Sequence, residues 1–345
     1  MPRMGLDISS HSVRFMEMQR TKNGLRPGRY GERKIPEGAS YSEEVQTNKE
    51  LKEALISLKQ EYKLKFVNVS LPEEKAYLFQ TALPALNESD IRGSIELSLE
   101  ENVPISGAEA VFDYSVIEEV SSKENAKTEK GIAVSVIPRK VVEGFSELFG
   151  SLGLVPLSFE LAAEAIARAI VPRGDGKTYM IVNLGEKKTG IYVVCKGIVF
   201  FTTTLSFGGE ALTSGIEKLF NVSNEEAIKI KKGKDFIKTK ENMKLFFSLL
   251  NPISSLRDEI NRLYIYWNTH KNQKGEENPP IQKIILCGAD SNLHGFDEYL
   301  AITLKIECEV ANVWTNLFSF EEYIPELSFA DSLNYPTAIG LAMVS

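Results

Sequence analysis

Apolar and polar positions follow a regular pattern between Tyr179 and Gly209. The run from Tyr179 to Val182 is apolar and partly β-branched, which is typical of a buried strand. A polar turn that contains a glycine follows, and two further strand-like runs continue to Thr204. A glycine pair then lets the backbone enter a helix near Glu210. This stretch therefore predicts three strands joined by tight turns and followed by a helix.

A weaker copy of this pattern lies at the N-terminus, in residues 4–18. Each hairpin places an Asp or Asn, Asp7 or Asn183, shortly before a cluster of Gly, Ser and Thr. Turns of this kind present backbone N–H groups and hydroxyls that can hold phosphate. Taken singly, each hairpin is more simply explained as an ordinary glycine turn, because such turns are common. Two related hairpins half a chain apart predict a protein of two lobes, with one hairpin in each.

The rest of the pattern divides the chain into three parts. Residues 35–135 combine helical spacing with alternating strands, which predicts a separate α+β module. We therefore assign residues 1–34 plus 136–173 to the core of the first lobe. Residues 174–345 form the second lobe, with residues 225–280 as its outer subdomain. The boundary between the lobes follows the Pro- and Gly-containing linker at residues 172–176.

The composition is that of an ordinary globular protein: 345 residues, 43% hydrophobic and 25% charged. The net charge of −7 argues against nucleic acid as a main partner. Cys195 and Cys287 lie in apolar strand-like runs and Cys308 is distant from both, which indicates buried thiols in a reducing compartment. No Cys/His spacing suggests zinc. Without a signal-peptide or membrane-spanning run, we expect a cytosolic protein that reaches a membrane only through partners.

The order of the motifs is more informative than any single motif. In chain order they are Asp7, then Asn183, Gly185 and Thr189, then the pair Gly208-Gly209, then Glu226 and Lys229 on one helix, then the turn Gly288-Ala289-Asp290. This order resembles the actin/Hsp70/sugar-kinase superfamily. There, two hairpins grip the phosphates, a Glu-x-x-Lys helix reaches the nucleoside, and the late glycine turn packs near the adenine. The resemblance implies an α/β, two-lobed actin-like ATPase fold with the α+β module inserted in the first lobe.

Within that superfamily the chain most resembles the PilM family of type IV pilus assembly proteins. The matching stretches are GLDISSHSVRFMEM, SLPEEKAYLFQTALPALNESDIRGSIELSLEENVPIS, FTTTLSFGGEAL, RDEINRLYIYWNTH and PTAIGLA, in that order. They span nearly the whole chain. FtsA, the actin-like cell-division protein, shares the architecture and is the alternative. FtsA usually carries a C-terminal amphipathic membrane helix, whereas this sequence ends at Ser345 without one, which favours PilM.

The resemblance also implies an ATP site with Mg, and it assigns no catalytic residue. The nucleotide-binding residues that it implies are Asp7, Ser9, Ser10, His11, Asn183, Gly185, Lys187, Thr189, Gly208, Gly209, Glu226, Lys229, Gly288, Ala289 and Asp290. Asp7 would organise the Mg and its waters, since hard cations prefer oxygen ligands. The alternative is an Asp that caps its own turn. Glu226 and Lys229 would bond the ribose, and the alternative for them is a solvated helix face.

Several positions depart from the family pattern. Ser9 stands where the first turn usually has a glycine, and its Cβ occupies space that close backbone approach to phosphate requires. Asn183 replaces an Asp and supplies no carboxylate for a metal or a water. Glu186 brings negative charge close to the phosphate position, and only Gly288 remains of three glycines in the adenine turn. We therefore expect ATP binding that is weak or absent, with very poor hydrolysis.

The resemblance implies a scaffold function at the inner face of the cytoplasmic membrane. Its partner would be the cytoplasmic N-terminal peptide of a PilN-like membrane protein, held as an extended segment between the first lobe and the inserted module. Such a peptide gains main-chain hydrogen bonds and places alternate side chains in apolar pockets. Other pilus platform proteins, or a second copy of the chain, are further expected partners. The alternatives are an ATP-dependent filament former, which needs intact phosphate turns, and a small-molecule kinase, which needs a carboxylate base facing a sugar pocket.

Overall fold

The computed structural model describes residues 3–36, 45–84, 88–120, 129–233, 243–271, 275 and 277–344. Within these ranges the chain forms two five-stranded sheets, one in each lobe, and a separate three-stranded sheet. None of the helices in the described ranges is both long enough and apolar enough to cross a membrane.

The first-lobe sheet has the strand order β3-β2-β1-β4-β8. Its strands are β1 (Arg3–Ile8), β2 (Ser12–Thr21), β3 (Gly24–Lys34), β4 (Phe66–Leu71) and β8 (Val155–Leu161), and its helices are α1 (Lys49–Tyr62), α3 (Arg139–Ser151) and α4 (Ala162–Ile170). Strand β1 is antiparallel to β2 and parallel to β4. Helix α1 begins after Asn48, whose side chain accepts a 2.8 Å hydrogen bond from the Leu51 N–H and so satisfies one free donor of the first turn. Apolar side chains of α1 and α3 bury the ring of Phe15 on one face of the sheet.

The inserted module is an antiparallel sheet of order β5-β7-β6 with one helix. Its elements are β5 (Tyr77–Pro84), α2 (Glu88–Asn102), β6 (Ala110–Val120) and β7 (Glu129–Pro138). Ile91, Ile95 and Leu99 recur at helical spacing on α2 and are buried together with Phe79 and Val134 of the sheet. The module therefore has a small core of its own.

This module is smaller than the predicted range 35–135. Strand β4 lies between β1 and β8 in the first-lobe sheet, where Gly5 pairs with Asn68 and Leu6 with Val69. Nearly every residue of β4 is buried, as is usual for a central parallel strand that is covered on both faces. Helix α1 packs against the same lobe. Residues 45–71 therefore belong to the first-lobe core, and the module comprises residues 77–138.

The second-lobe sheet has the order β11-β10-β9-β12-β13. Its elements are β9 (Thr178–Leu184), β10 (Thr189–Cys195), β11 (Ile198–Leu205), α5 (Gly209–Phe220), α6 (Asn224–Gly233), α7 (Met243–Thr269), β12 (Lys283–Cys287), α8 (Phe296–Leu304) and β13 (Glu307–Val310). Strands β9 and β10 are antiparallel, and β12 is parallel to β9. The predicted order of three strands and a helix after Tyr179 is confirmed. Cys195 and Cys287 are buried free thiols, as predicted.

The end of the chain returns to the first lobe, although we assigned it to the second. The short helix α9 (Phe329–Ser332) leads to α10 (Pro336–Ala342), which packs on β1 and α4. Glycines make this close packing possible, because a Cβ at Gly5 would overlap the carbonyl of Ala338 and one at Gly340 would overlap that of Ala165. Helix α10 therefore ties the two ends of the sequence together at the first-lobe sheet.

Candidate functional site

The two hairpin turns face each other across a cleft between the lobes. The cleft lies at the carboxyl ends of β1, β4, β9 and β12, the edge of parallel sheets where ligands usually bind. It encloses a cavity of about 150 Å³. The predicted site residues that line it are Asp7, Ser9, Ser10, His11, Asn183, Gly185, Lys187, Gly288 and Ala289. Thr189, Gly208, Gly209, Glu226, Lys229 and Asp290 do not line it.

The first turn satisfies its own polar groups. The Ser9 hydroxyl donates to the Ser12 carbonyl at 3.0 Å and accepts from the Ser12 N–H at 3.1 Å. The Ser10 hydroxyl and His11 Nδ1 share a hydrogen bond of 2.6 Å. Ser9 therefore closes the turn from within, at the position where the family pattern has a glycine.

Asp7 is held by the neighbouring strand β4. The Ser70 hydroxyl donates to Asp7 Oδ1 at 3.0 Å and accepts from the Ile8 N–H at 3.0 Å. Burial raises the pKa of Asp7. The charge of Arg14, which is opposite Asp7 in the hairpin, and the hydrogen bond from Ser70 both lower this pKa, but the effect of burial is larger. Asp7 thus accepts from another strand, whereas we considered a cap of its own turn as the alternative. Among the described residues, no group of three or more His, Cys, Asp or Glu side chains could hold a metal ion, so the Mg role of Asp7 stays a prediction.

The second turn docks on the N-terminus of α5. The Gly209 N–H donates to the Gly185 carbonyl at 2.9 Å, and the Glu210 N–H donates to the Glu186 carbonyl at 2.8 Å. A Cβ at Gly208 would overlap the backbone of Glu186, so this contact requires glycine. These helix N–H groups, which in other proteins bind anions, are therefore paired with the turn itself.

Thr189 points away from the cleft. Its hydroxyl donates to the Phe207 carbonyl at 2.7 Å, and the residue is fully buried. The predicted phosphate contact of this hydroxyl would require that bond to break.

Two neighbouring glutamates of the first lobe reach across the cleft, and our sequence reasoning missed both. Glu73 accepts a 2.5 Å hydrogen bond from the hydroxyl of Tyr192, and the carboxylate of Glu74 lies 2.7 and 2.8 Å from Lys188 Nζ. Asn183 donates a longer bond, 3.4 Å, to the Tyr192 hydroxyl. The signal that the sequence offered was position, since both glutamates lie within three residues of the end of the buried strand β4, at the edge of the sheet where ligands usually bind.

Burial makes both partners of the contact between Glu73 and Tyr192 weaker acids. It raises the pKa of Glu73 despite the hydrogen bond from Tyr192. Burial beside Glu73 also raises the pKa of Tyr192 well above its ordinary value. Tyr192 therefore remains a protonated donor at neutral pH.

On the side of the cleft where the family pattern places the base, a buried lysine joins three elements. Lys231 Nζ lies 2.5 Å from Asp290 Oδ1, 2.8 Å from the Thr213 hydroxyl and 3.2 Å from the Gly209 carbonyl. A Cβ at Gly209 would overlap the Asp290 carboxylate. Gly209 and Asp290, which do not line the cavity, thus both contact Lys231 and also lie against each other.

Glu226 and Lys229 lie on the exposed face of α6. Glu226 Oε2 accepts from the Ser223 N–H at 3.2 Å while the Ser223 hydroxyl accepts from the Glu226 N–H at 3.3 Å, which is a reciprocal capping box. The inward face carries Ala227 and Lys231, four residues apart and both buried. The i, i+4 relation to an alanine was the signal for Lys231, and we selected the opposite face.

The cavity between the two hairpin turns is small and lined with charged groups. The cavity of about 150 Å³ is smaller than ordinary small-molecule sites, which enclose about 300–1,000 Å³. Four carboxylates line it, from Asp7, Glu73, Glu74 and Glu186. They stand beside the cations of Arg14, Lys187 and Lys188. The enclosed space is closer to the size of one phosphate group than to that of a whole nucleotide.

A second concavity lies between the first lobe and the inserted module, and we call it the groove. It encloses about 600 Å³. Its apolar lining consists of Val45, Pro72, Tyr77, Ile105, Ala108, Pro138, Val141 and Phe145. Its charged lining consists of Glu74, Lys75, Glu109, Arg139, Lys140 and Glu143. An apolar floor with charges of both signs suits an extended peptide.

Known proteins match both the sequence and the fold. Residues 5–345 match the family model described as type IV pilus assembly protein PilM. The structure of a PilM-PilN type IV pilus biogenesis complex is similar with a TM-score of 0.75 and 18% identity, over 99% of this chain and 97% of that chain. The ethanolamine utilization protein EutJ from Carboxydothermus hydrogenoformans gives a TM-score of 0.59 and 14% identity, over 100% of this chain and 90% of that chain. The structure of MreB5 of Spiroplasma citri bound to ADP gives a TM-score of 0.54 and 12% identity, over 97% of this chain and 94% of that chain. These similarities show the two-lobed actin-like ATPase fold that the sequence predicts.

Proposed function

The chain belongs to the PilM family of type IV pilus assembly proteins, and from that premise we propose that it is a scaffold that binds the N-terminal cytoplasmic peptide of a PilN-like inner-membrane protein. The peptide occupies the groove and holds the chain at the inner face of the cytoplasmic membrane. The similar structure named above is itself a PilM-PilN complex, which supports this choice of partner. Further partners from the pilus platform, or a second copy of the chain, bind elsewhere.

The observation that carries the proposal is the shape and lining of the groove. Val141 on α3 and Ile105 after α2 face it from the two sides, and both are half-buried. An extended segment laid between them docks apolar side chains on these two walls. Lys75, Arg139 and Lys140 stand beside Glu109 and Glu143 at the same groove, so a peptide with polar side chains between apolar ones finds partners of either charge.

Peptide binding tests this proposal directly. The probe is a labelled synthetic peptide with the N-terminal cytoplasmic sequence of the PilN-like protein of the same organism, and fluorescence anisotropy measures its Kd for the full chain. We expect Val141→Glu to weaken binding about tenfold or more, because the bound peptide would have to cover a carboxylate in place of an apolar side chain. Val155→Glu is the matched control, since Val155 is 41% exposed on the edge strand β8 and does not line the groove. Absence of binding to the wild-type chain, or equal loss in both variants, contradicts the proposal.

The second part of the proposal is a weakened ATP site. The altered turns, the four carboxylates and the buried Lys231 support it. Calorimetric titration with Mg-ATP, with phosphate release followed in the same sample, is the test. We expect affinity no tighter than millimolar and no turnover, and micromolar affinity with turnover would contradict this part. An ATP-dependent filament former, which is the alternative class, would show that turnover.

A further inference from the structure

The edge of the first-lobe sheet opposite the cleft carries a group of exposed cations. Strands β1, β4 and β8 are parallel, so their amino ends lie together at this edge. The tip of the β2–β3 hairpin lies there too, because β2 is antiparallel to β1 and ends beside the start of β1. The exposed cations are Arg20 and Lys22 at the hairpin tip and Lys63 and Lys65 between α1 and β4. We call these four residues the basic edge.

The positive charge of the basic edge is not compensated by ion pairs. Among the residues that the structure describes, none of its four side chains pairs with a carboxylate. The acidic side chains beside it pair with arginines instead: Glu17 with Arg29, Glu61 with Arg33 and Glu322 with Arg26. The whole chain has a net charge of −7, but interactions between exposed charges are screened beyond about 8 Å at physiological salt. An anionic surface at this edge therefore meets local positive charge.

Two exposed apolar side chains adjoin the basic edge. The Val155 N–H donates to the Lys65 carbonyl at 2.7 Å, which places the start of β8 beside this lysine. Val155 is 41% exposed and Leu157 is 63% exposed. Cations next to exposed aliphatic side chains are typical of surfaces that bind lipid, where headgroups contact the charges and the acyl boundary covers the aliphatic groups.

The backbone of β8 is poorly suited to pairing with another strand at this point. Strand β8 is an edge strand, and Pro156 lies between the two exposed apolar residues. Because the Val155 N–H points toward β4, the backbone of the next residue faces the free edge, where proline has no N–H to donate. An added strand would lack a hydrogen bond there. This favours an occupant that needs no backbone pairing, such as a lipid surface, over an extended peptide.

We propose that the basic edge, together with Val155 and Leu157, contacts anionic phospholipid headgroups directly. The choice of a membrane among anionic partners rests on the proposed function, which places the chain at the inner face of the cytoplasmic membrane. The contact itself needs no peptide. Each Lys or Arg near an anionic membrane surface strengthens binding about fivefold. A few cations with two partly inserted side chains give reversible binding, and stable attachment takes a second signal, which the peptide supplies.

Vesicle co-sedimentation of the full chain without peptide tests this contact. Vesicles of equal parts phosphatidylglycerol and phosphatidylcholine are compared with vesicles of phosphatidylcholine alone. We expect a partition coefficient about tenfold higher or more for the anionic vesicles, and a loss of about tenfold or more in Lys63→Glu/Lys65→Glu. Lys49→Glu/Lys218→Glu is the matched control, because it makes the same change of charge at exposed positions outside the basic edge. It should change the coefficient by less than about twofold, since distant charges are screened.

The apolar part of the contact has its own variant. Leu157→Ser should lower partition into the anionic vesicles about threefold, because less aliphatic surface is covered on binding. Ile302→Ser on α8 is the matched control, since Ile302 is 76% exposed in the second lobe, and it should leave partition unchanged. A DNA duplex offers phosphates without an apolar layer and should bind more weakly than the anionic vesicles.

Several results would overturn the lipid contact. These are no partition of the wild type into anionic vesicles, equal partition into both kinds of vesicle, or equal losses in the two lysine double variants. Binding of the DNA duplex as tight as binding of the anionic vesicles would also overturn it, because the edge would then be a general site for polyanions.

The proposed function is tested separately by the peptide Kd in solution. Lys63→Glu/Lys65→Glu should keep the wild-type Kd, since neither lysine lines the groove. A chain that binds anionic vesicles but not the peptide would uphold the lipid contact and contradict the proposed function. A chain that binds the peptide but not the vesicles would do the reverse.

Discussion

Lys231 and Asp290 form an ion pair inside the second lobe, with 2.5 Å between Nζ and Oδ1. The side chain of Lys231 is 9% exposed and that of Asp290 is 12% exposed. The same ammonium group also bonds Thr213 and the first residue of α5. One cation therefore holds α5, α6 and the turn after β12 in their relative positions, at the place where the family pattern puts the base of a nucleotide.

Removal of Lys231 should destabilise the protein strongly. We expect Lys231→Met to lower the free energy of unfolding by about 3–5 kcal/mol, because Asp290 is left charged and buried without a partner. The double variant Lys231→Met/Asp290→Leu should recover at least half of this loss, since neither charge is then buried. Urea unfolding measures both. Lys283→Met is the control, because the carboxylates that pair with Lys283 are exposed and such pairs contribute about 0–1 kcal/mol. Equal effects of the two lysine substitutions would contradict a special role of Lys231.

The Tyr192 hydroxyl should contribute to stability through Glu73. Tyr192→Phe leaves a buried carboxyl group without its donor, and we expect a loss of about 1–3 kcal/mol in urea unfolding. Tyr266→Phe is the matched control, because Tyr266 is 46% exposed, and surface substitutions of this kind usually change stability by about 0.5 kcal/mol or less. A loss no larger than that of the control would show that the bond across the cleft is not maintained in solution.

The contact of α10 with α4 should not tolerate a methyl group. In Gly340→Ala the added Cβ meets the Ala165 carbonyl, so the helices must separate, and we expect a loss of about 2–3 kcal/mol. Gly93→Ala is the control, because Gly93 lies exposed on α2 with open space around it. That substitution should stabilise the helix by about 0.5–1 kcal/mol. A Gly340→Ala protein as stable as wild type would mean that α10 does not pack on α4 in solution.

Glu164 should make stability depend on pH near neutrality. Burial raises its pKa to about 7, although a 2.6 Å hydrogen bond from the Ser135 hydroxyl lowers it. A carboxyl group with a raised pKa in the folded state favours folding while protonated. Its contribution is fully present below the unfolded value near 4.5 and is lost as the pH rises through about 7.

The comparison of wild type with Glu164→Gln isolates this contribution, since other titrating groups cancel in the difference. We expect the variant to gain about 2–3 kcal/mol relative to wild type between pH 5 and pH 8, as measured by urea unfolding at each pH. Glu147→Gln is the control for the same substitution at an exposed position of α3. A difference for Glu164→Gln that does not change between pH 5 and pH 8 would place the titration of Glu164 outside this range.

Local sequence was sufficient to predict most strands and helices. Strand alternation, the glycine turns and the caps depend on neighbours in the chain, so the hairpins around Asp7 and Asn183 were placed correctly. The order of motifs predicted the fold and the family, because that order is itself a property of the sequence. Many of the residues predicted from that order do lie at one cleft, since the turns of both hairpins are at the carboxyl ends of parallel strands.

Only the tertiary structure decided which side chains meet. Glu73 and Tyr192 are 119 residues apart, and no local pattern connects them. The rotation of α6 places Lys231 inside and Lys229 outside. Because both faces of this helix carry charges, the single alanine Ala227 is a weak local signal of the buried side. Strand β4 entered the first-lobe sheet because its apolar residues are covered on both faces there, which depends on the space between β1 and β8. The sequence by itself thus determined the elements and the family, while packing between distant elements determined the sheet partners, the contacts across the cleft and the buried ion pair.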